Sequence, residues 1–232
     1  MKLVLLPGMD GTGMLFGPLV ANIQGMEVVV LPLPNEGAQD YKSLSEWILK
    51  RLPDEDFILV AESFSGGIAA LLSQQLVPHL TGIIFVASFL SAPKKLMAHF
   101  ASLLPIRHLA HLPFSGIVYR LFFLGKDAGN KEIELFRRAI DAVPVRALKL
   151  RLKVIAQAKY DGFKSGVPTV YIGAAHDMLV HRRKRLEFVQ AYSDITFAEL
   201  DGPHFILQAK PKEGAIAITE AVRLLTGKVT KA

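Results

Sequence analysis

Six short apolar runs recur along the chain, at residues 3–6, 28–31, 57–61, 83–87, 167–172 and 195–200, and each is followed by turn residues or a helical pattern. The runs are continuous rather than alternating. A strand wetted on one face alternates apolar and polar residues, whereas a strand buried on both faces has no reason to. Between the runs, apolar residues fall at helical spacing. Leu44, Trp47, Ile48 and Leu52 precede the third run, and Ile68, Leu71, Leu72 and Leu76 follow it. Ile218, Ala221, Val222 and Leu225 form the inward stripe of a last helix, opened by Pro211. Buried strands in alternation with helices predict an α/β protein with a mostly parallel six-stranded sheet and helices on both faces.

Residues 91–166 break the rhythm. They contain no strand signal. Leu103, Leu104, Ile106, Leu109 and Leu112 are interrupted by Pro105 and Pro113, and Val145, Leu148, Leu152 and Ile155 then recur at helical spacing. The expectation is an all-helical insertion after the fourth strand, dividing a core made of residues 1–90 and 167–232. A chain of 232 residues is long enough for one sizeable core with such an insertion. The insertion is also where the positive charge lies. Residues 92–166 carry 14 Lys and Arg against 5 Asp and Glu, within a chain whose net charge is +6. With no cysteine, disulfides and thiolate metal sites are excluded. The N-terminal apolar run is too short for a signal-peptide core, and no stretch reaches the roughly 18 apolar residues of a membrane span. A soluble cytoplasmic protein without a transmembrane segment is expected.

The chemistry concentrates where the third run ends, in Ala61-Glu62-Ser63-Phe64-Ser65-Gly66-Gly67. A strand that stops at small-x-Ser-x-small and turns at once into a helix is a nucleophile elbow, which pushes the serine hydroxyl above the sheet edge. Ser63 lies directly at the strand end and is favoured over Ser65. A serine hydroxyl needs a base, and the base needs a carboxylate to fix its tautomer. Asp177 follows the fifth run and His204 the sixth, so both fall past the carboxyl ends of strands, where open parallel sheets place their sites. Asp161 precedes the fifth strand, at the wrong edge. Asp201, three residues from His204, reads as a loop-capping residue. For an oxyanion the elbow offers the Phe64 N–H, and the loop Pro7-Gly8-Met9-Asp10-Gly11 offers the Met9 N–H, with Asp10 as second choice.

With these features the chain resembles the α/β-hydrolase superfamily over essentially its whole length. The matched features are Pro7-Gly8, the elbow around Ser63, Gly173 to Asp177, and His204 with Pro211 behind it. The resemblance implies the strand order 2-1-3-4-5-6, an esterase-like reaction without a cofactor, and a helical cap at residues 91–166. The chain departs from the family in three places. It lacks counterparts of the first two antiparallel strands, its elbow has Ala61 and Ser65 where glycine is commoner, and its oxyanion loop lacks the usual histidine.

The expected function is a serine hydrolase of carboxylic esters with small to medium, largely apolar acyl groups. Phe100, Leu104, Phe114 and Phe122 are expected in the substrate pocket. A second reading is an esterase or thioesterase on acyl groups held by an acidic carrier protein, resembling the pimeloyl-carrier methyl ester esterases. It draws on the basic insertion, where Arg146, Lys149 and Lys153 form a stripe. A non-catalytic binding protein of the same fold is the reading from a different class. Gly11-x-Gly13 departs from the dinucleotide fingerprint, and Arg182-Arg183-Lys184-Arg185 stands outside any nucleic-acid module, so neither partner is expected. His99, His108 and His111 lack nearby carboxylates, so no metal is expected.

Overall fold

The computed structural model describes residues 1–93 and 115–229. Six strands form one sheet in the order β2-β1-β3-β4-β5-β6, with every ladder parallel. In chain order they are β1 (Lys2–Leu6), β2 (Glu27–Val30), β3 (Phe57–Glu62), β4 (Leu80–Val86), β5 (Thr169–Ala174) and β6 (Ile195–Leu200). The helices are α1 (Gly17–Val20), α2 (Tyr41–Leu49), α3 (Gly66–Leu72), α4 (Ser115–Tyr119), α5 (Asn130–Asp141), α6 (Val145–Gln157), α7 (Arg185–Ala191), α8 (Ile206–Ala209) and α9 (Pro211–Val229). The sheet and its order match the expectation from the sequence. β4 starts earlier than its apolar run, because Leu80 and Gly82 pair with Phe57 and Ile58 of β3, with Thr81 skipped at a register shift. β5 starts later, at Thr169, just after Pro168, which has no N–H to donate.

Two cores sandwich the sheet, and the alternation of side chains along each strand sorts residues between them. Val4, Leu6, Phe57, Leu59, Ala61, Ile83, Phe85 and Tyr171 pack on one face with α2, α3 and α7. Leu3, Leu5, Ile58, Val60, Ile84, Val86, Val170 and Ile172 pack on the other with α1, α8 and α9. The predicted inward stripe of α9 is buried at Ile218, Ala221, Val222 and Leu225. Each fully buried Leu, Ile or Phe contributes about 1.5–3 kcal/mol against solvent exposure. The central strands are sealed, whereas the edge strands β2 and β6 are partly exposed, because each has one neighbour. Among the described residues, no helix is long and apolar enough to cross a membrane.

A third core joins the helices between β4 and β5 to the sheet. Tyr119, Leu124, Ile133, Phe136, Ile140 and Leu148 pack with Leu15 and Phe205 from loops at the strands' carboxyl ends. A π turn, Arg120–Leu124, ends at Gly125 beside Pro203. The Phe123 carbonyl accepts the Phe205 N–H at 3.0 Å, so this segment lies directly on the loop after β6.

Candidate active site

β3 ends at Glu62 and passes through one 3-10 turn, Ser63–Ser65, into α3. Ser63 takes φ +49°, in the left-handed region that a Cβ disfavours. A residue held there costs about 1–3 kcal/mol and persists only where its surroundings over-determine it. They do so here. β3 is laddered to β1 and β4 on its two sides. Beyond the turn, α3 packs so closely on α2 that a Cβ at Gly67 would stand 2.4 Å from the Tyr41 ring.

His204 lies between β6 and α8, and Asp177 follows β5. Two hydrogen bonds tie these loops together, Ala175 N–H to the Leu200 carbonyl and His176 N–H to the Gly202 carbonyl, both 2.9 Å. The three side chains named from the sequence meet. Ser63 Oγ is 2.9 Å from His204 Nε2, and His204 Nδ1 is 2.8 Å from Asp177 Oδ2. The other Asp177 oxygen accepts the backbone N–H groups of Leu179 and Val180, each at 2.8 Å. Those donors fix the carboxylate, which fixes the Nδ1 proton and leaves Nε2 to accept the serine hydroxyl. The His204 and Asp177 side chains are 3% and 6% exposed, so bulk water does not compete for these bonds. His176 instead pairs on the surface with Asp201, which also faces Lys210. Such an arrangement can relay a proton from the hydroxyl to the imidazole.

The loop after β1 is pinned group by group. The Pro7 carbonyl accepts the Ser65 hydroxyl at 2.5 Å. Gly8 lies against the Glu62 carboxyl, where a Cβ would stand 3.9 Å from Oε2. The Gly8 carbonyl accepts the Gly11 N–H at 3.0 Å, and in a trans peptide this turns the Met9 N–H the opposite way. Arg151 Nη1 donates to the carbonyls of Met9 and Asp10 at 3.0 and 2.8 Å. Asp10 Oδ2 accepts from the N–H and hydroxyl of Thr12. The Met9 N–H has no acceptor among the described residues. The Phe64 N–H opens a helical turn, where backbone donors have no intrahelical partner. Both named donors are therefore available to an oxyanion.

Of the four expected pocket residues, Phe100, Leu104 and Phe114 lie outside the described residues. Phe122 is half-buried and has no ring contact among the described residues. Its neighbour Phe123 packs on Phe205 and Phe136, with ring centres 5.8 and 5.5 Å apart. The π turn brings this second phenylalanine onto the histidine loop. The expected basic stripe has Arg146 and Lys153 exposed and Lys149 half-buried. Among the described residues, no group of three or more His, Asp or Glu could hold a metal ion.

No protein-family model matches the sequence, and no curated protein matches it. Solved structures do match its fold. An enol-lactonase from Burkholderia xenovorans LB400 superposes with a TM-score of 0.76 at 15% identity, over 96% of this chain and 91% of that one. MenH from S. aureus gives a TM-score of 0.75 at 13% identity, over 97% and 94%. A structure from the study of carboxylesterases of the Thaumarchaeon Nitrososphaera gargenis gives 0.72 at 15%, over 98% and 91%. The chain has the α/β-hydrolase fold.

Within this α/β-hydrolase fold, three buried polar residues beside the site escaped the sequence reading. Arg151 is fully buried. Besides its bonds to the loop after β1, it donates to Gln39 Oε1 and the Pro34 carbonyl, each at 2.8 Å. Burial pulls its pKa down to about 10, opposed by the Asp10 charge, so it remains a cation at neutral pH. A Cβ at Gly11 would stand 2.3 Å from Arg151 Nη1, and Gly11 has φ +70°, so only glycine suits that position. The available signal was an arginine on the same helix face as Leu148 and Leu152. Glu62 and Gln208 are the other two. Their signals were an acid ending a wholly apolar strand and an amide four residues past His204.

Proposed function

We propose that the chain is a serine hydrolase that cleaves carboxylic esters through an acyl-enzyme. The observation that carries this reading is the relay from Ser63 through His204 to Asp177, with contacts of 2.9 and 2.8 Å, built on a serine held at φ +49°. Ser63 Oγ attacks the ester carbonyl while His204 Nε2 takes its proton. Asp177 stabilises the imidazolium without taking the proton itself. The Met9 and Phe64 N–H groups receive the negative charge that develops on the carbonyl oxygen. The imidazolium then protonates the departing alkoxide. His204 next deprotonates a water, which attacks the acyl carbon and releases the acid with Ser63 restored. The fold neighbours include an enol-lactonase and carboxylesterases, which accords with acyl chemistry.

Small to medium apolar acyl groups are the substrates this reading favours. Phe205 stands edge-on to His204, with ring centres 5.3 Å apart, and belongs to an apolar cluster with Phe123, Met9 and Leu15. A panel of p-nitrophenyl esters of increasing chain length, run with a fluorophosphonate probe, tests the reading. Wild type should hydrolyse the short and medium esters and be labelled once. Ser63→Ala should lose the label and about 10⁴-fold or more in kcat. An unlabelled wild type, or a Ser63→Ala variant with undiminished turnover, refutes the proposal.

The exposed Arg146 and Lys153 on α6 have no ion-pair partner among the described residues, which supports a second reading in which the acyl group arrives on an acidic carrier protein. Salt that leaves turnover of a carrier-linked ester unchanged rules that out.

A further inference from the structure

β3 is apolar from Phe57 to Ala61 and then places Glu62 on the face it shares with Ile58 and Val60. The Glu62 residue is 1% exposed. A buried carboxylate is ordinarily matched by a cation or by donors on both oxygens. Glu62 has a sparser set. Gln208 Nε2 donates to Oε2 at 3.2 Å, and the Gly8 backbone lies against that same oxygen. Oε1 has no partner among the described residues. Asp10 Oδ1 and Gln208 Oε1 are likewise buried acceptors without a donor among the described residues. The two carboxyls flank one peptide. A methyl group at Gly8 would lie 3.8 Å from Asp10 Oδ1 and 3.9 Å from Glu62 Oε2.

The charged groups around this spot are few. The loop after β1 supplies Asp10, which repels a negative Glu62. α6 supplies Arg151, whose guanidinium is committed to backbone carbonyls and Gln39. α8 supplies the neutral Gln208, and the elbow supplies the neutral hydroxyls of Ser63 and Ser65. A proton on Glu62 removes the like-charge contact with Asp10. It also turns one of three unmatched acceptors into a donor.

Glu62 thus reaches all three segments of the candidate machinery. It directly precedes Ser63, it receives Gln208 from the helix that follows His204, and it lies against the residue before Met9. We propose that Glu62, held in its protonated form, is a positioning residue that fixes the oxyanion loop against the serine elbow and the histidine segment. This deepens the serine-hydrolase reading and rests on it for turnover, though not for the structural claim. Once ionised, Glu62 confronts the Asp10 carboxylate in a buried site, and the Gly8 peptide between them is pushed from its place. Burial moves that ionisation up to about 8, so the loop is held at neutral pH and loosened in mild alkali.

The test is the pH profile of p-nitrophenyl acetate hydrolysis for wild type, Glu62→Gln and Glu62→Ala, corrected for hydroxide. Wild-type kcat should fall on the alkaline side with a midpoint near 8. Glu62→Ala should lose about 10²-fold in kcat at neutral pH with little change in KM, since a mispositioned oxyanion donor acts in the transition state. Glu62→Gln keeps the shape and a neutral head group, so it should rescue turnover and lack the alkaline fall. Identical alkaline limbs in wild type and Glu62→Gln overturn the proposal. Hydrogen exchange at the Gly8 amide supplies a readout that needs no catalysis. Its protection factor should drop above pH 8 in wild type and hold in Glu62→Gln. If wild type neither hydrolyses esters nor labels at Ser63, the hydrolase reading falls and the exchange measurement alone decides. Equal protection in the two proteins then refutes the role of Glu62.

Discussion

Glu62→Gln should make the fold more resistant to alkali, by an amount the structure sets. The carboxyl has an ordinary value of 4.5, and burial raises it to about 8 in the folded protein. Between those limits the folded chain holds a proton that the unfolded chain has released. The unfolded state binds fewer protons there, so stability falls as pH rises through the window. The contribution is complete below 4.5 and exhausted once pH passes the folded value. The slope is about 1.4 kcal/mol per pH unit, so the loss reaches about 5 kcal/mol. That is a large share of the roughly 5–15 kcal/mol by which domains are stable. Glutamine does not titrate, and subtracting the two proteins cancels the ionising groups that do not touch residue 62. Urea unfolding from about pH 5 to about pH 9, followed by the fluorescence of the single tryptophan, Trp47, supplies the measurement. The stability of Glu62→Gln minus that of wild type should climb with pH and level off above about 8. Parallel curves, or a difference that shrinks with pH, refute the reasoning.

Arg151→Met strands the carbonyls of Met9 and Asp10 and the Gln39 Oε1, and should cost about 3–5 kcal/mol in urea unfolding. Its remaining esterase activity should show a depressed kcat, because the oxyanion loop loses its anchor. Ser65→Ala removes the bond to the Pro7 carbonyl and should cost about 1–3 kcal/mol, while mass spectrometry still finds the fluorophosphonate on Ser63. Gly67→Ala drives a methyl group into the Tyr41 ring and should lower stability by about 1–3 kcal/mol. Adding Tyr41→Leu should return part of that loss in a double-mutant cycle.

The three side chains of the relay were legible before any coordinates because each is tied to a strand end. A parallel sheet puts all its carboxyl ends along one edge, so residues just past β3, β5 and β6 converge however far apart they lie in sequence. The positions of the Met9 and Phe64 N–H groups follow from the same edge, one on the loop past β1 and one on the elbow itself. That Phe123 packs on the histidine loop was not legible, because two adjacent phenylalanines look alike until a π turn sets which one faces Phe205.

What the sequence determined by itself was the sheet and the place of the chemistry. Six apolar runs and the spacing of the stripes between them leave little choice of layers, because local periodicity decides which faces are buried. Tertiary structure alone decided how the loop after β1 is held. Arg151, Gln208 and Glu62 come from three separate stretches of chain, and in sequence each is an ordinary polar residue. Their contacts, Arg151 on the loop's carbonyls and Gln208 on Glu62, form where apolar layers exclude water and leave each donor and acceptor dependent on its neighbours. Periodicity reports which face a residue is on, and it carries no record of which distant group will be there to meet it.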